Sequence, residues 1–227
     1  MEILKAENLK KYYRDGAVVK AVDGVSLSIE EGEFAALVGP SGSGKTTLLN
    51  LLGGIDHPTE GKVYIEGKEI TSLKEKQLAR FRLEKLGFVF QAYNLIPVLT
   101  ALENAELILL FQGVEKNKRR ERVMEIFREL GIEHLADRTP PKLSGGEQQR
   151  MAIARAIVHH PLLVLADEPT ANLDSENAIS IVELMKRLCK EKNISFLIAT
   201  HDSRVYQRAE RIIRLTDGKI VEDKRNT

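Results

Sequence analysis

Apolar and polar positions alternate over residues 2–9 and again over 18–30, where Val22, Val25, Leu27 and Ile29 fall on one side. A period of two predicts strands with one buried face. Arg14-Asp15-Gly16 between them is turn-like. Phe34 to Val38 is an unbroken apolar run that stops at Gly39, and Leu48 to Leu52 is a second one. Together they predict strand, loop and helix. Residues 62–71 (KVYIEGKEIT) predict a hairpin turning at Glu66-Gly67, so the front of the chain is rich in antiparallel strands. A helix is expected over 73–83. A short buried strand follows from Gly87 to Phe90, ending at Gln91, and then an irregular loop over 92–100 containing Pro97. From about Ala101 to Leu130 the pattern is helical, with a charged break at 115–122 (EKNKRRER). Met151 to Ile157 continues a clear helix. Leu162 to Ala166 and Ile194 to Thr200 predict buried strands on either side of a helix from Ser175 to about Lys192. The stretch 211–222 predicts a last hairpin at Asp217-Gly218.

Composition narrows this. At 227 residues the chain suits one large domain, or one domain carrying an insertion. Hydrophobic residues make up 43% and charged residues 30%, as in a packed globular protein. A formal net charge of +1 gives no electrostatic argument for nucleic acid or an anionic membrane, so no nucleic-acid partner is expected. The run 115–122 is then a solvated helix start. The single cysteine, Cys189, permits no internal disulfide and fits a reducing compartment. The first residues, MEILKAENLKK, predict no secretory signal. No window approaches 18 consecutive apolar residues, so a transport role would need other polypeptides as the channel.

Candidate chemistry gathers where strands end. Gly39, Gly44, Lys45 and Thr46 fill GxxxxGK[ST] between the strand at 34–38 and the helix behind it. Glycines let backbone N–H groups close around an anion, and the helix start adds its positive end. Lys45 supplies a point charge for outer phosphates, and the Thr46 hydroxyl can ligate Mg²⁺. A second anion site opens the helix after Leu143, at Ser144-Gly145-Gly146-Glu147. Either the chain binds two anions, or this site serves the nucleotide of a partner chain. Asp167-Glu168 closes a core strand, and two such carboxylates are costly unless they face a cation or polar ligand. Asp167 can bind Mg²⁺ directly or through water, and Glu168 can accept a proton from an attacking water. Gln91 and His201 also stand at the carboxyl ends of strands, where ligands bind in α/β folds. Only 5% of residues are aromatic, so the pair Tyr12-Tyr13 stands out, either as a purine-stacking residue or as a surface rim.

In order along the chain these motifs resemble the nucleotide-binding subunit of an ABC (ATP-binding cassette) transporter. They are the Walker A loop 39–46, the Q-loop Gln91, the LSGGE signature 143–147, Walker B 162–167 with Glu168, the D-loop around Asp174, and the switch His201. The LSGGE string is the most specific of them, and the match covers essentially the whole chain. The resemblance implies an α/β fold of the P-loop NTPase, ABC-ATPase type, with a mixed core sheet, an antiparallel β subdomain and an inserted helical subdomain. It implies one nucleotide-binding domain over 1–227, with the ATP-binding core in 1–91 and 155–227 and the helical part in 92–154.

The same resemblance implies Mg²⁺-dependent ATP hydrolysis by a head-to-tail homodimer. Gly39, Pro40, Ser41, Gly42, Ser43, Gly44, Lys45, Thr46 and Thr47 would surround the phosphates of one ATP, with Tyr13 on the adenine and Tyr12 as the alternative. Thr46, Gln91 and Asp167 would serve Mg²⁺. Glu168, His201 and Lys45 would be catalytic. Ser144, Gly145, Gly146 and Glu147 would reach the partner's nucleotide, with Asp174 at the dimer interface. The stretches 51–61, 87–104 and 164–174 resemble the group of lipoprotein-release, macrolide-export and cell-division ATPases. That implies a subunit on the cytoplasmic face of a prokaryotic membrane, with an integral membrane permease docked on the loop after Gln91. An importer ATPase is the alternative within transporters. A non-transport ABC ATPase lacks support, since the chain shows one cassette and no heptad insertion.

Overall fold

The structure is a computed structural model that describes residues 1–15 and 17–226. In chain order it contains β1 (Glu2–Asp15), β2 (Ala17–Glu30), β3 (Phe34–Val38), α1 (Lys45–Leu52), β4 (Glu60–Ile65), β5 (Lys68–Glu69), α2 (Glu75–Lys85) and β6 (Leu86–Val89). The remainder comprises α3 (Ala101–Phe111), α4 (Lys116–Glu129), α5 (Gly145–Ile157), β7 (Leu163–Asp167), α6 (Ser175–Lys192), β8 (Ser195–Thr200), the single turn α7 (Ser203–Tyr206), β9 (Arg211–Thr216) and β10 (Lys219–Arg225).

Two sheets form. The first is antiparallel with order β2-β1-β4-β5, and the second has order β10-β9-β3-β8-β7-β6. In the second sheet β9, β3, β8, β7 and β6 run parallel, and β10 is an antiparallel edge. β3 shows why its sequence is apolar throughout. Phe34, Ala36 and Val38 pack into a core with α3–α6, while Ala35 and Leu37 pack into another with α1 and the antiparallel sheet. A strand covered on both faces has no solvent side to keep polar. The mixed α/β class and the antiparallel front sheet agree with the expectation. Both predicted tight turns have their central residues left-handed, at Glu66-Gly67 and Asp217-Gly218, as a type I′ hairpin requires.

Two expectations shift. β1 and β2 form a longer hairpin than 2–9 with 18–30, pairing from Glu2↔Glu30 out to Arg14↔Val18. Tyr12 and Tyr13 therefore lie inside a strand and not between strands. The expected turn at Arg14-Asp15-Gly16 falls, at Gly16, outside the described residues. The helical break also sits earlier than 115–122. Gln112 ends α3, Gly113 turns the chain with φ +78°, and Glu115 caps α4. The charge run forms the start of α4, whose Val123, Ile126 and Phe127 are buried. The charges thus solvate the open face of a helix and do not interrupt one.

Candidate nucleotide site

The carboxyl ends of β3, β6, β7 and β8 converge, and the chain leaves them at Gly39, Gln91, Glu168 and His201. After β3 the loop turns sharply. Gly44 has φ +99°, and a Cβ there would sit 2.0 Å from the Ala21 carbonyl, so β2 leaves no room for a side chain. The final hairpin holds the loop from behind, with the Gly218 N–H donating to Ser43 O (3.0 Å). α1 begins at Gly44 with no side-chain cap and no acidic residue in its first turn, so its positive end is not offset locally. The Lys45 ammonium is buried and donates to Gly39 O (2.8 Å) and Pro40 O (3.0 Å). It also lies 4.0 Å from Glu168 Oε1. A cleft of about 810 Å³ opens over this loop. It is lined by Pro40, Ser41, Gly42, Gly44, Lys45, Thr46 and Thr47, together with Gln91, Glu168 and His201. Gly39 and Ser43 are buried behind it, and the Ser43 hydroxyl has no hydrogen-bond partner.

The paired carboxylates diverge. Asp167 Oδ2 accepts a hydrogen bond from Thr46 Oγ1 (2.8 Å), while Asp167 Oδ1 is buried without a partner. Burial pushes the Asp167 carboxyl above the usual aspartate range, with the Thr46 hydroxyl pulling the other way. Glu168 follows with φ +46°, its N–H fixed to Ala199 O (2.9 Å). Its Oε1 lies 2.7 Å from His201 Nδ1, and its Oε2 accepts from Thr200 Oγ1 (3.2 Å). Among the described residues no three His, Cys, Asp or Glu side chains gather into a metal site. A cation here would instead draw on one carboxylate, a hydroxyl and phosphate oxygens, which is the habit of Mg²⁺. The unpartnered Asp167 Oδ1 fits that use.

The second anion site stands apart. Ser144 caps α5 in a reciprocal box, its N–H and Oγ both donating to Glu147 Oε2 (2.8 Å each). The Ser144 N–H holds the Glu147 carboxyl below its usual range. Gly146 packs on Asn177, where a Cβ would come within 2.9 Å of Oδ1. Asn177 in turn donates to Asp174, the cap of α6 (2.9 and 2.7 Å), and depresses its pKa. None of Ser144, Gly145, Gly146, Glu147 or Asp174 lines the cleft.

Neither tyrosine lines the cleft either. Tyr13 Oη donates to Asp56 Oδ2 (3.2 Å), and the Lys11 ammonium stands 5.2 Å from its ring centre. Tyr12 bonds to Asp23 instead, with the Lys20 ammonium 5.4 Å from its ring. Both pair across the hairpin with walls of the cleft, Tyr12 with Lys20 and Tyr13 with Val19. The two rings take different partners because β1 runs on as a strand through both, and adjacent residues of a strand face opposite ways. Sequence reasoning also missed Val19, Lys20 and Ala21 of β2, which wall the cleft, and Asn172, whose Nδ2 donates to Gln91 O (2.9 Å). The β2 residues carry no motif and arrive by tertiary packing. Asn172 could have been suspected from its place beside Asp174.

A phosphate loop at the end of a parallel sheet, facing a carboxylate pair and a histidine, defines a nucleotide-binding phosphate-loop protein. Residues 22–171 match the family model described as ABC transporter. The chain is 47% identical over 220 residues to the lipoprotein-releasing system ATP-binding protein LolD of Aquifex aeolicus, covering 97% of this chain and 96% of that protein. It is 45% identical over 223 residues to the ABC transporter ATP-binding protein MJ0796 of Methanocaldococcus jannaschii, covering 96% and 95%. The fold superposes on a dimeric structure of the MJ0796 cassette with a TM-score of 0.92, at 43% identity and 98% coverage of both chains. A dimeric post-hydrolysis state of that cassette, bound to ADP and Pi, superposes at 0.91. The chain belongs to the ABC transporter family and is an ATP-binding, ATP-hydrolysing subunit of the type these relatives represent. No helix among the described residues is long and apolar enough to cross a membrane.

Proposed function

We propose that two copies of this chain pair head to tail around two ATP molecules, each site joining the cleft of one chain to the Ser144 helix end of the other. One observation carries the reading: within a chain, Pro40–Gly42, Gly44–Thr47, Gln91, Glu168 and His201 surround one cleft, while Ser144–Glu147 and Asp174 stand outside it. A second anion-binding helix end with no share in its own chain's cleft is explained if it serves the partner's. The dimeric cassettes that this fold matches support the same arrangement.

In this scheme the loop N–H groups of Gly42–Thr47 and the Lys45 ammonium hold the outer phosphates. Lys45 gives up its contacts to Gly39 and Pro40 for phosphate oxygens. Thr46, Asp167 and Gln91 would hold Mg²⁺, which would supply positive charge against the negative charge of the phosphates. Glu168 accepts a proton from the attacking water, and His201 orients Glu168 and reaches the terminal phosphate. The base is placed against Tyr13, whose cross-strand partner Val19 walls the cleft, with Tyr12 as the alternative.

The chain divides on this reading into an ATP-binding core, 1–91 and 155–227, and a helical part, 92–154. The membrane permease docks beside Gln91, on the exposed Ile96 and Val98 and the apolar groove of Phe88, Phe90, Ile108 and Phe111. The subunit then works on the cytoplasmic face of the membrane. Similarity to LolD favours lipoprotein release or export as the work done. The test is light scattering of Glu168→Gln with and without Mg-ATP. A shift from monomer to dimer on Mg-ATP is expected, and a variant that binds ATP yet stays monomeric removes the homodimer.

A further inference from the structure

Gln91 is placed by a tight turn. The Tyr93 N–H donates to Phe90 O (3.0 Å), which makes Gln91 and Ala92 the two central residues. The next stretch is conformationally costly, since Tyr93 and Asn94 both lie in the left-handed region at φ +61° and +50°. Two successive non-glycine residues hold such a conformation only when something outside the segment imposes it. That something is Arg155. Its Nη2 donates to Tyr93 O (2.8 Å) and its Nη1 to Asn94 O (2.5 Å). The planar guanidinium fits two adjacent carbonyls in a way that an ammonium cannot. Burial desolvates this cation, and no acidic group among the described residues offsets the cost. A desolvated guanidinium spent wholly on two loop carbonyls is an expensive way to pack a helix end.

Arg155 lies in the last turn of α5, the helix that begins at Ser144. The other end of the same helix also touches this loop, because Gly145 faces the Tyr93 hydroxyl, 3.2 Å from where a Cβ would be. Asn172 holds the near side of the turn through Gln91 O. We infer that Arg155 is a positioning residue for the reaction: through the carbonyls of Tyr93 and Asn94 it fixes the turn that aims the Gln91 amide at the Thr46–Asp167 cation position. It does not line the nucleotide cleft. Because it rides on α5, it also ties the Gln91 of a chain's own site to the helix end that serves the partner's site. The inference rests on the reading of Gln91 as a cation-side residue.

Arg155→Lys keeps the charge and the aliphatic stem but can reach only one of the two carbonyls. Three readouts are taken on the full chain. They are hydrogen exchange of the 91–95 amides, the Mn²⁺ concentration that half-saturates the ATP complex by electron paramagnetic resonance, and the split of ATP turnover into kcat and KM. Arg155→Lys should speed exchange at 91–95 and raise half-saturating Mn²⁺ about 10-fold, as loss of a supporting contact around a cation does. It should lower kcat with little change in KM, and exchange elsewhere should stay native. Unchanged exchange at 91–95, or unchanged Mn²⁺ dependence, overturns the inference. If Arg155→Lys fails to fold, Asn94→Val, a β-branched side chain at an exposed position that the left-handed backbone disfavours, disturbs the same turn with Arg155 intact and should raise the Mn²⁺ requirement alike. A native requirement there also overturns the inference. Gln91→Ala is run in parallel. If it leaves the Mn²⁺ requirement unchanged, the reading of Gln91 falls. If it raises the requirement and Arg155→Lys does not, only the role of Arg155 falls.

Discussion

Glu168→Gln separates chemistry from structure unusually well at this site. The backbone of Glu168 is fixed by its N–H to Ala199 O and by a left-handed φ that Gln tolerates equally. The Gln carbonyl oxygen can still accept from Thr200 Oγ1, and its amide can still meet His201 Nδ1. What disappears is the negative charge beside Lys45 and His201. Lys45 keeps its two carbonyl partners. The His201 side chain is 66% exposed, so its contact with Glu168 contributes little to the fold. The stability change should therefore stay within about 1 kcal/mol. Loss of a general base costs about 10²–10⁴-fold in rate, or about 2.7–5.4 kcal/mol of barrier. Phosphate release from the purified subunit, measured at saturating Mg-ATP alongside thermal melting, gives both numbers. Turnover within tenfold of native, with ATP still bound, would refute the assignment of Glu168 as the base.

Gly44→Ala should abolish ATP binding and destabilise the fold by about 2 kcal/mol or more, since the added Cβ meets the Ala21 carbonyl in a left-handed backbone; equilibrium dialysis and denaturant melts check both effects. Tyr13→Ala should raise the KM for ATP several-fold and Tyr12→Ala should not; the reverse order would move the base to Tyr12. His159 is held at about 4, below the ordinary 6.5, chiefly by burial. The unfolded chain therefore takes up this proton first as pH falls, and the stability present above pH 6.5 is lost progressively down to about 4. The loss amounts to about 3 kcal/mol, and His159→Gln should remove most of it in urea titrations across that window.

The sequence was most legible where local chemistry is decisive. Phe34 to Val38, Gly39 to Thr46 and Ser144 to Glu147 each announce a strand end, a loop or a capped helix by residue type alone. It was least legible where packing chooses. Nothing local distinguishes Tyr12 from Tyr13, because which ring faces the cleft depends on how far β1 extends as a strand. The charged run at 115–122 looks like an interruption until Gln112 is seen to end α3, Gly113 to turn the chain and Glu115 to cap α4. Val19, Lys20 and Ala21 have no motif and become walls of the site only because β2 lies against Gly44.

By itself the sequence determined the element types, the order of the motifs and the chemistry that each can perform. These depend on short-range preferences such as the period of the apolar pattern, the freedom of glycine and the caps of helices. Only the tertiary structure decided which motifs share a cleft. Residues far apart in sequence meet there because four parallel strands end on one side of a sheet. The same packing turns Asp167 toward Thr46 and Glu168 toward His201, and leaves the Ser144 helix end outside the cleft. No local preference encodes those separations, since they come from burying apolar faces that the chain presents many residues apart.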